Sequence, residues 1–169
     1  MIAKFALFGL LLATCAGGAE AASTSGKYSV DIPEGWASRT KFDDPNVPLA
    51  VFAPKHADPN AFRENISIIM HEKGEGITLK SIAADQDRTA KKYRPDFTLS
   101  DEKEDKIGEM KCISRLCTMT FPDGVFKNRQ YIVNAGDKIA IITASVPEAR
   151  FKELDEAVVK VIVSFKVKK

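Results

Sequence analysis

Two histidines, one tryptophan and three cysteines in 169 residues leave little for catalysis to use. A catalytic histidine needs a nucleophile and an orienting acid within reach. Neither His56 nor His71 stands in such a setting, and no G-x-S-x-G nucleophile elbow occurs. Metal-binding patterns are missing as well: there is no H-E-x-x-H and no C-x-x-C. His56-Ala-Asp58 with His71, and Asp43-Asp44, match no ligand spacing and read as solvated loop residues. Glycine-rich phosphate loops are absent, since Gly17-Gly18 falls in the N-terminal leader. Basic and acidic residues nearly balance, 25 against 23, which argues against nucleic acid or another polyanion as partner. No apolar run reaches the roughly 18 residues that cross a bilayer. By elimination the chain is expected to bind rather than transform: no enzyme activity, no cofactor and no metal.

The N-terminus has the pattern of a secretory signal peptide over residues 1–21. Lys4 supplies the positive charge, residues 5–13 a short apolar core, and Ala19-Glu20-Ala21 the small residues that a signal peptidase reads. Cleavage is expected after Ala21, leaving a small, polar, flexible leader over residues 22–27. A second processing route competes, because Leu12-Ala13-Thr14-Cys15 approximates a lipobox and would lipidate Cys15. Either route places the protein in the periplasm or outside the cell, with membrane contact only through Cys15.

The remainder is organised around residues 112–144. Three β-rich runs, 115–121, 125–133 and 138–144, are joined by Pro122-Asp123-Gly124 and by Asn134-Ala135-Gly136-Asp137. Connections this short, carrying Pro, Asp, Asn and Gly, join antiparallel neighbours, so the segment is predicted to be a meander. Alternating or apolar runs at 28–32, 49–53 and 65–70 predict further strands. Thr78 is a good N-cap for a helix whose apolar face is Leu79, Ile82, Ala83, Ala90 and Tyr93, stopped by Pro95. Arg88, Lys91, Lys92 and Arg94 share that helix with Asp85 and Asp87, which marks a solvated face. The charge run 100–106 suits either an exposed edge strand or a solvated hairpin. After Pro147, the stripe Phe151, Leu154, Val158, Val161 predicts a second helix. Six or seven strands and two long helices that are not interleaved with them give an α+β domain over 28–169: an antiparallel sheet covered by helices.

The order of landmarks resembles the PsbP-like superfamily, which includes an extrinsic photosystem II subunit and DcrB-related bacterial envelope proteins. The resemblance rests on Tyr28-Ser-Val-Asp-Ile-Pro-Glu-Gly-Trp36, a strand ending at Pro54, Phe62-Arg-Glu-Asn-Ile-Ser-Ile68, a helix, Gly108, Gln130-Tyr-Ile-Val133, Gly136-Asp-Lys-Ile-Ala-Ile-Ile-Thr143, and a closing Val163-Ser-Phe165. It implies a sheet sandwiched by helices and a non-enzymatic adaptor or assembly role, and it brings no catalytic residues.

Cys112 and Cys117 fall outside that resemblance. An even pair in an oxidising compartment suggests a disulfide. A regular strand would instead point residues five apart to opposite faces, roughly 16 Å from each other, far beyond bridging distance. Either residues 113–116 bulge and the bond forms, or the two are separate buried thiols. A closed Cys112–Cys117 loop would resemble the inhibitory loop of Ivy-type lysozyme inhibitors, with Arg115 in place of the inserted histidine. That gives two functional expectations: an adaptor contacting an envelope protein, or an inhibitor of an envelope hydrolase such as lysozyme. The candidate contact residues are Trp36, Asp43, Asp44, His56, Asp58 and Arg115, with loops 41–48 and 55–63 as the main surfaces.

Overall fold

A computed structural model describes residues 21–58 and 60–168. In chain order the elements are β1 (Ala21–Ser25), β2 (Tyr28–Ile32), β3 (Ala37–Arg39), β4 (Leu49–Phe52), β5 (Asn65–Glu72), α1 (Leu79–Tyr93), β6 (Thr98–Ile107), β7 (Met110–Phe121), β8 (Gly124–Ala135), β9 (Lys138–Pro147), α2 (Glu148–Val163) and β10 (Lys166–Val167). The main sheet has seven antiparallel strands in the order β3-β4-β5-β9-β8-β7-β6. Its β6–β9 part is a meander with two-residue turns at Gly108-Glu109, Pro122-Asp123 and Gly136-Asp137. Gly136 has φ +83, a conformation in which a Cβ would be strained. The charge run is an edge strand: only Ile107 of β6 is buried, and Ser100 interrupts the register with β7.

Side chains alternate across this sheet and divide the core in two. One face presents Leu49, Val51, Ile66, Ile68, Met70, Tyr131, Val133, Ile142 and Ala144, and packs against Leu154, Val158, Val161 and Ile162 of α2. Burying each of these α2 side chains contributes roughly 1.5–3 kcal/mol relative to leaving it in water. The opposite face presents Ile113, Ile132 and Ile139 to Ala83 of α1, with Leu79 and Ile82 packed alongside. The Thr78 hydroxyl caps α1 by accepting from Ser81 N, and Ser81 Oγ accepts from Thr78 N in return. Because α1 lies mainly along β7 and β8, the sheet face toward β5 is left without a helix.

Two expectations change here. Residues 22–27 are not a flexible leader. Residues 21–25 form β1, paired along its length with β2, and the chain turns at Gly26. Ser23 and Ser29 are buried in this hairpin, which the small polar composition of the segment concealed. The strands also exceed seven, because β1, β2 and β10 make a second, three-stranded sheet. This small sheet shares the α2 side of the core, where Tyr28 stacks on Phe165 at 6.2 Å. Residues 1–20, which hold most of the predicted signal peptide and Cys15, lie outside the described residues.

Candidate functional site

Cys112 and Cys117 are both free thiols. β7 stays in unbroken register with β8 from Cys112 to Phe121, so the two side chains point to opposite faces and the bulge a bridge needs is absent. Burial pushes both thiols up to about 11, with Asp105 adding to the effect at Cys112. Residues 113–116 are therefore strand rather than loop. Arg115, expected to reach a partner, is instead 1% exposed beneath α1. This removes the basis for inhibition through a Cys112–Cys117 loop.

The remaining candidate residues scatter. Asp43 and Asp44 are exposed in loop 41–48, where Asp44 Oδ1 accepts from Asn46 N at 2.8 Å. Met70 N donates to Asn46 O, which ties this loop to the sheet. Trp36 is half-buried against the α2 side of the core. Asp58 is exposed in loop 55–63 and Oδ1 accepts from Asn60 N.

His56 belongs to a cluster that sequence reasoning did not assemble. Glu64, 1% exposed, accepts from Arg150 Nη1 at 2.7 Å and lies 2.8 Å from His56 Nε2. Arg150, on the first turn of α2, also donates to Glu153 Oε1 at 2.9 Å. That bond, more than the neighbouring Glu64, raises the Arg150 guanidinium, and Arg150 in turn lowers Glu153. The backbone adds Ala53 N donating to Glu64 O, and Arg63 Nε donates to Ala53 O at 2.6 Å. A buried carboxylate is tolerated only when paired. Here the pairing fastens both ends of loop 55–63 to α2. The imidazole meets an acid and a guanidinium, and among the described residues no nucleophile bonds to it. Nothing in a lone glutamate ahead of a strand announced this, because its cation comes from a helix far along the chain.

The face beside α1 carries the other unanticipated arrangement. Strand registers align Ser67, Thr143, Gln130, Arg115 and Glu102 in one row across five strands. Asn65, Ser145, Asn128 and Cys117 form the adjacent row. Arg115 Nη2 bonds to Asp87, and Nη1 donates to Gln130 Oε1 at 3.2 Å and Ala83 O at 3.3 Å. Its Nε lies 3.0 Å from Glu102 Oε2 but is not aligned to donate. Gln130 Nε2 donates to Thr143 Oγ1 at 3.2 Å, and Ser145 Oγ donates to Asn128 Oδ1 at 2.8 Å. Asn128 is 6% exposed, and its Nδ2 has no partner among the described residues. Phe126, packed edge-on by Phe62 at 4.7 Å and Phe121 at 5.4 Å, closes one end. Alternation such as Asn65-Ile-Ser-Ile was the available signal; only the register shows that the polar positions of three strands coincide.

Two open grooves lie beside the helices. One, of about 490 Å³, lies between the start of α1 and the β6–β7 hairpin. The other, of about 880 Å³, lies between the end of β2 and α2. Among the described residues no cluster of three or more His, Cys, Asp or Glu side chains could hold a metal ion, and no helix is long and apolar enough to cross a membrane.

No family model and no curated sequence matches the chain. Solved structures do. Cyanobacterial PsbP (CyanoP) from Synechocystis sp. PCC 6803 is 19% identical, covers 92% of this chain and 98% of its own, and superposes with a TM-score of 0.64. LpqN, involved in cell envelope biogenesis of Mycobacterium tuberculosis, is 14% identical over 84% of this chain and 83% of its own, with a TM-score of 0.65. The Saccharomyces cerevisiae Ran-binding protein Mog1p is 12% identical over 88% and 96%, with a TM-score of 0.57. Identities this low establish architecture alone, and that architecture agrees with the order of landmarks along the sequence: the chain has the PsbP-like fold.

Proposed function

We propose that the chain is a periplasmic or secreted adaptor without a catalytic step, engaging an envelope protein through loops 41–48 and 55–63. The observation that carries this reading is the Glu64–His56–Arg150 clamp. It fixes the ends of loop 55–63 while leaving Asp58 and Asn60 exposed. A loop held in place loses less entropy on binding, so exposed residues on it make efficient contacts. The clamp also engages His56, half-buried between Glu64 and Arg150. The fold supports a binding role as well: among proteins that share it, Mog1p is Ran-binding and LpqN is involved in cell envelope biogenesis.

Photo-crosslinking in cells tests the reading. A photoreactive side chain at position 44 or 58 is expected to capture one dominant envelope protein, and the same group at position 103, on the opposite edge strand β6, is not. Capture that is equal at all three positions, or absent from 44 and 58, refutes the loop contact.

A further inference from the structure

We propose that the sheet face beside α1 binds a neutral oligosaccharide, held by the side-chain hydroxyls and amides of Ser67, Thr143, Gln130 and Ser145. This goes beyond the adaptor reading and does not rest on it.

The position of the face comes first. Lys80 of α1 pairs with Glu104 of β6 at 2.8 Å, which fixes that side of the helix toward the β6 edge. At 100° per residue, Gln86, Thr89 and Tyr93 fall on the other side of α1, turned toward β9 and β5. Gln86 and Thr89 are half-buried, and Tyr93 is 55% exposed. On the strands, Asn65, Ser67, Gln130, Thr143 and Ser145 are also half-buried, so water and ligands reach them. Three strands about 4.8 Å apart and two rows about 7 Å apart give a floor of roughly 10 by 7 Å. That suits two sugar rings lying flat.

The chemistry selects the ligand. Asn65, Ser67, Gln130, Thr143 and Ser145 carry hydroxyls and amides, the groups that match sugar hydroxyls in both donor and acceptor roles, and half-buried Ile69 and Ile82 border them with apolar surface. A buried amide donor without a partner is unusual in a folded protein, and Asn128 Nδ2 is one, beneath Ser145. An anionic ligand would need a free cation. Arg115, at the end of the floor, is already answered by Asp87. The flanking Arg63 and Arg94 stack on the rings of Phe52 and Phe121, beyond the row of Ser67, Thr143 and Gln130. An extended peptide is recognised by sheets through unpaired backbone at an edge strand, whereas β5, β9 and β8 are interior strands bonded on both sides. Only side chains are on offer. Phe62, 36% exposed at the floor's end, supplies the apolar surface on which a sugar ring packs.

The test is a printed array of neutral glycans, anionic glycans and short peptides probed with the purified full chain, followed by calorimetric titration of the best ligand. Binding of at least one neutral glycan is expected. Thr143→Val and Ser67→Ala should each weaken it about fivefold, the effect of one hydrogen bond, with circular dichroism unchanged. Loop cross-linking at position 58 should persist in both variants, which separates this inference from the adaptor reading. The inference is overturned if no neutral glycan binds above a heat-denatured control. It is overturned equally if only anionic glycans or peptides bind, or if both variants bind like the parent.

Discussion

Replacing Arg115 with alanine should destabilise the protein without touching any exposed surface. The guanidinium is 1% exposed, and Asp87 beside it is 24% exposed. A hydrogen bond to a charged partner in such a setting is worth about 2 kcal/mol. The longer bonds to Gln130 Oε1 and Ala83 O add about 1 kcal/mol together. The buried methylene stem adds about 1 kcal/mol more. Glu102, 39% exposed and misaligned with Nε, is given nothing, because solvent screens it. The total, about 4 kcal/mol, falls in the range for removing one partner of a buried pair. Urea unfolding is the assay. With a slope of about 2 kcal/mol per M for a domain of this size, the midpoint should fall by about 2 M at unchanged slope. Arg115→Lys should recover about half, since an ammonium keeps the charge but cannot reach a carboxylate, an amide and a carbonyl from one planar fork. A loss below about 1 kcal/mol for Arg115→Ala would mean that the polar row is already solvated and that α1 is held by its apolar contacts alone.

Three further outcomes follow from features described above. Native Cys112 and Cys117 should resist alkylation at pH 8 and label fully in urea. Because folding raises their pKa from 9.0 to about 11, they favour the folded state fully below pH 9, and that contribution is lost as pH rises toward 11. Unfolding midpoints measured from pH 8 to 11 should decline, and less steeply in Cys112→Ala/Cys117→Ala. Arg150→Ala takes from buried Glu64 its hydrogen-bonded guanidinium and should cost about 3 kcal/mol. Hydrogen exchange would show faster opening over residues 53–64 than over β8; uniform protection would contradict the clamp. Gly136→Ala should cost about 1–2 kcal/mol by thermal melting, from backbone strain alone, since nothing lies within 4 Å of the added Cβ.

The meander, both helices and the edge strand were legible because each is written in local chemistry: turn residues, a capping threonine, apolar spacing, a run of charge. β1 was not, because a strand of Ala, Ser and Thr has no pattern of its own and forms only against β2. Arg115 was misplaced for a related reason. The loop assumed around it came from pairing two cysteines by count, while the regular alternation through residues 112–117 already opposed a bridge. The clamp and the polar rows depend on contacts between residues remote in sequence, such as Glu64 with Arg150 and Ser67 with Thr143. Their individual residues look ordinary, and meaning arises only from register.

The central strand order also has a consequence for the chain while it is being made. β5, with its run of isoleucines, lies between β4 and β9, and β9 is separated from it by α1 and the first three strands of the meander. Vectorial synthesis therefore delivers β2 through β5 long before the strand that completes their core exists. The meander can close through short local turns, but joining β5 to β9 means closing a long loop. Until then β5 pairs with β4 alone, and its other edge and its apolar face stay uncovered, the stage at which a chaperone has most to protect.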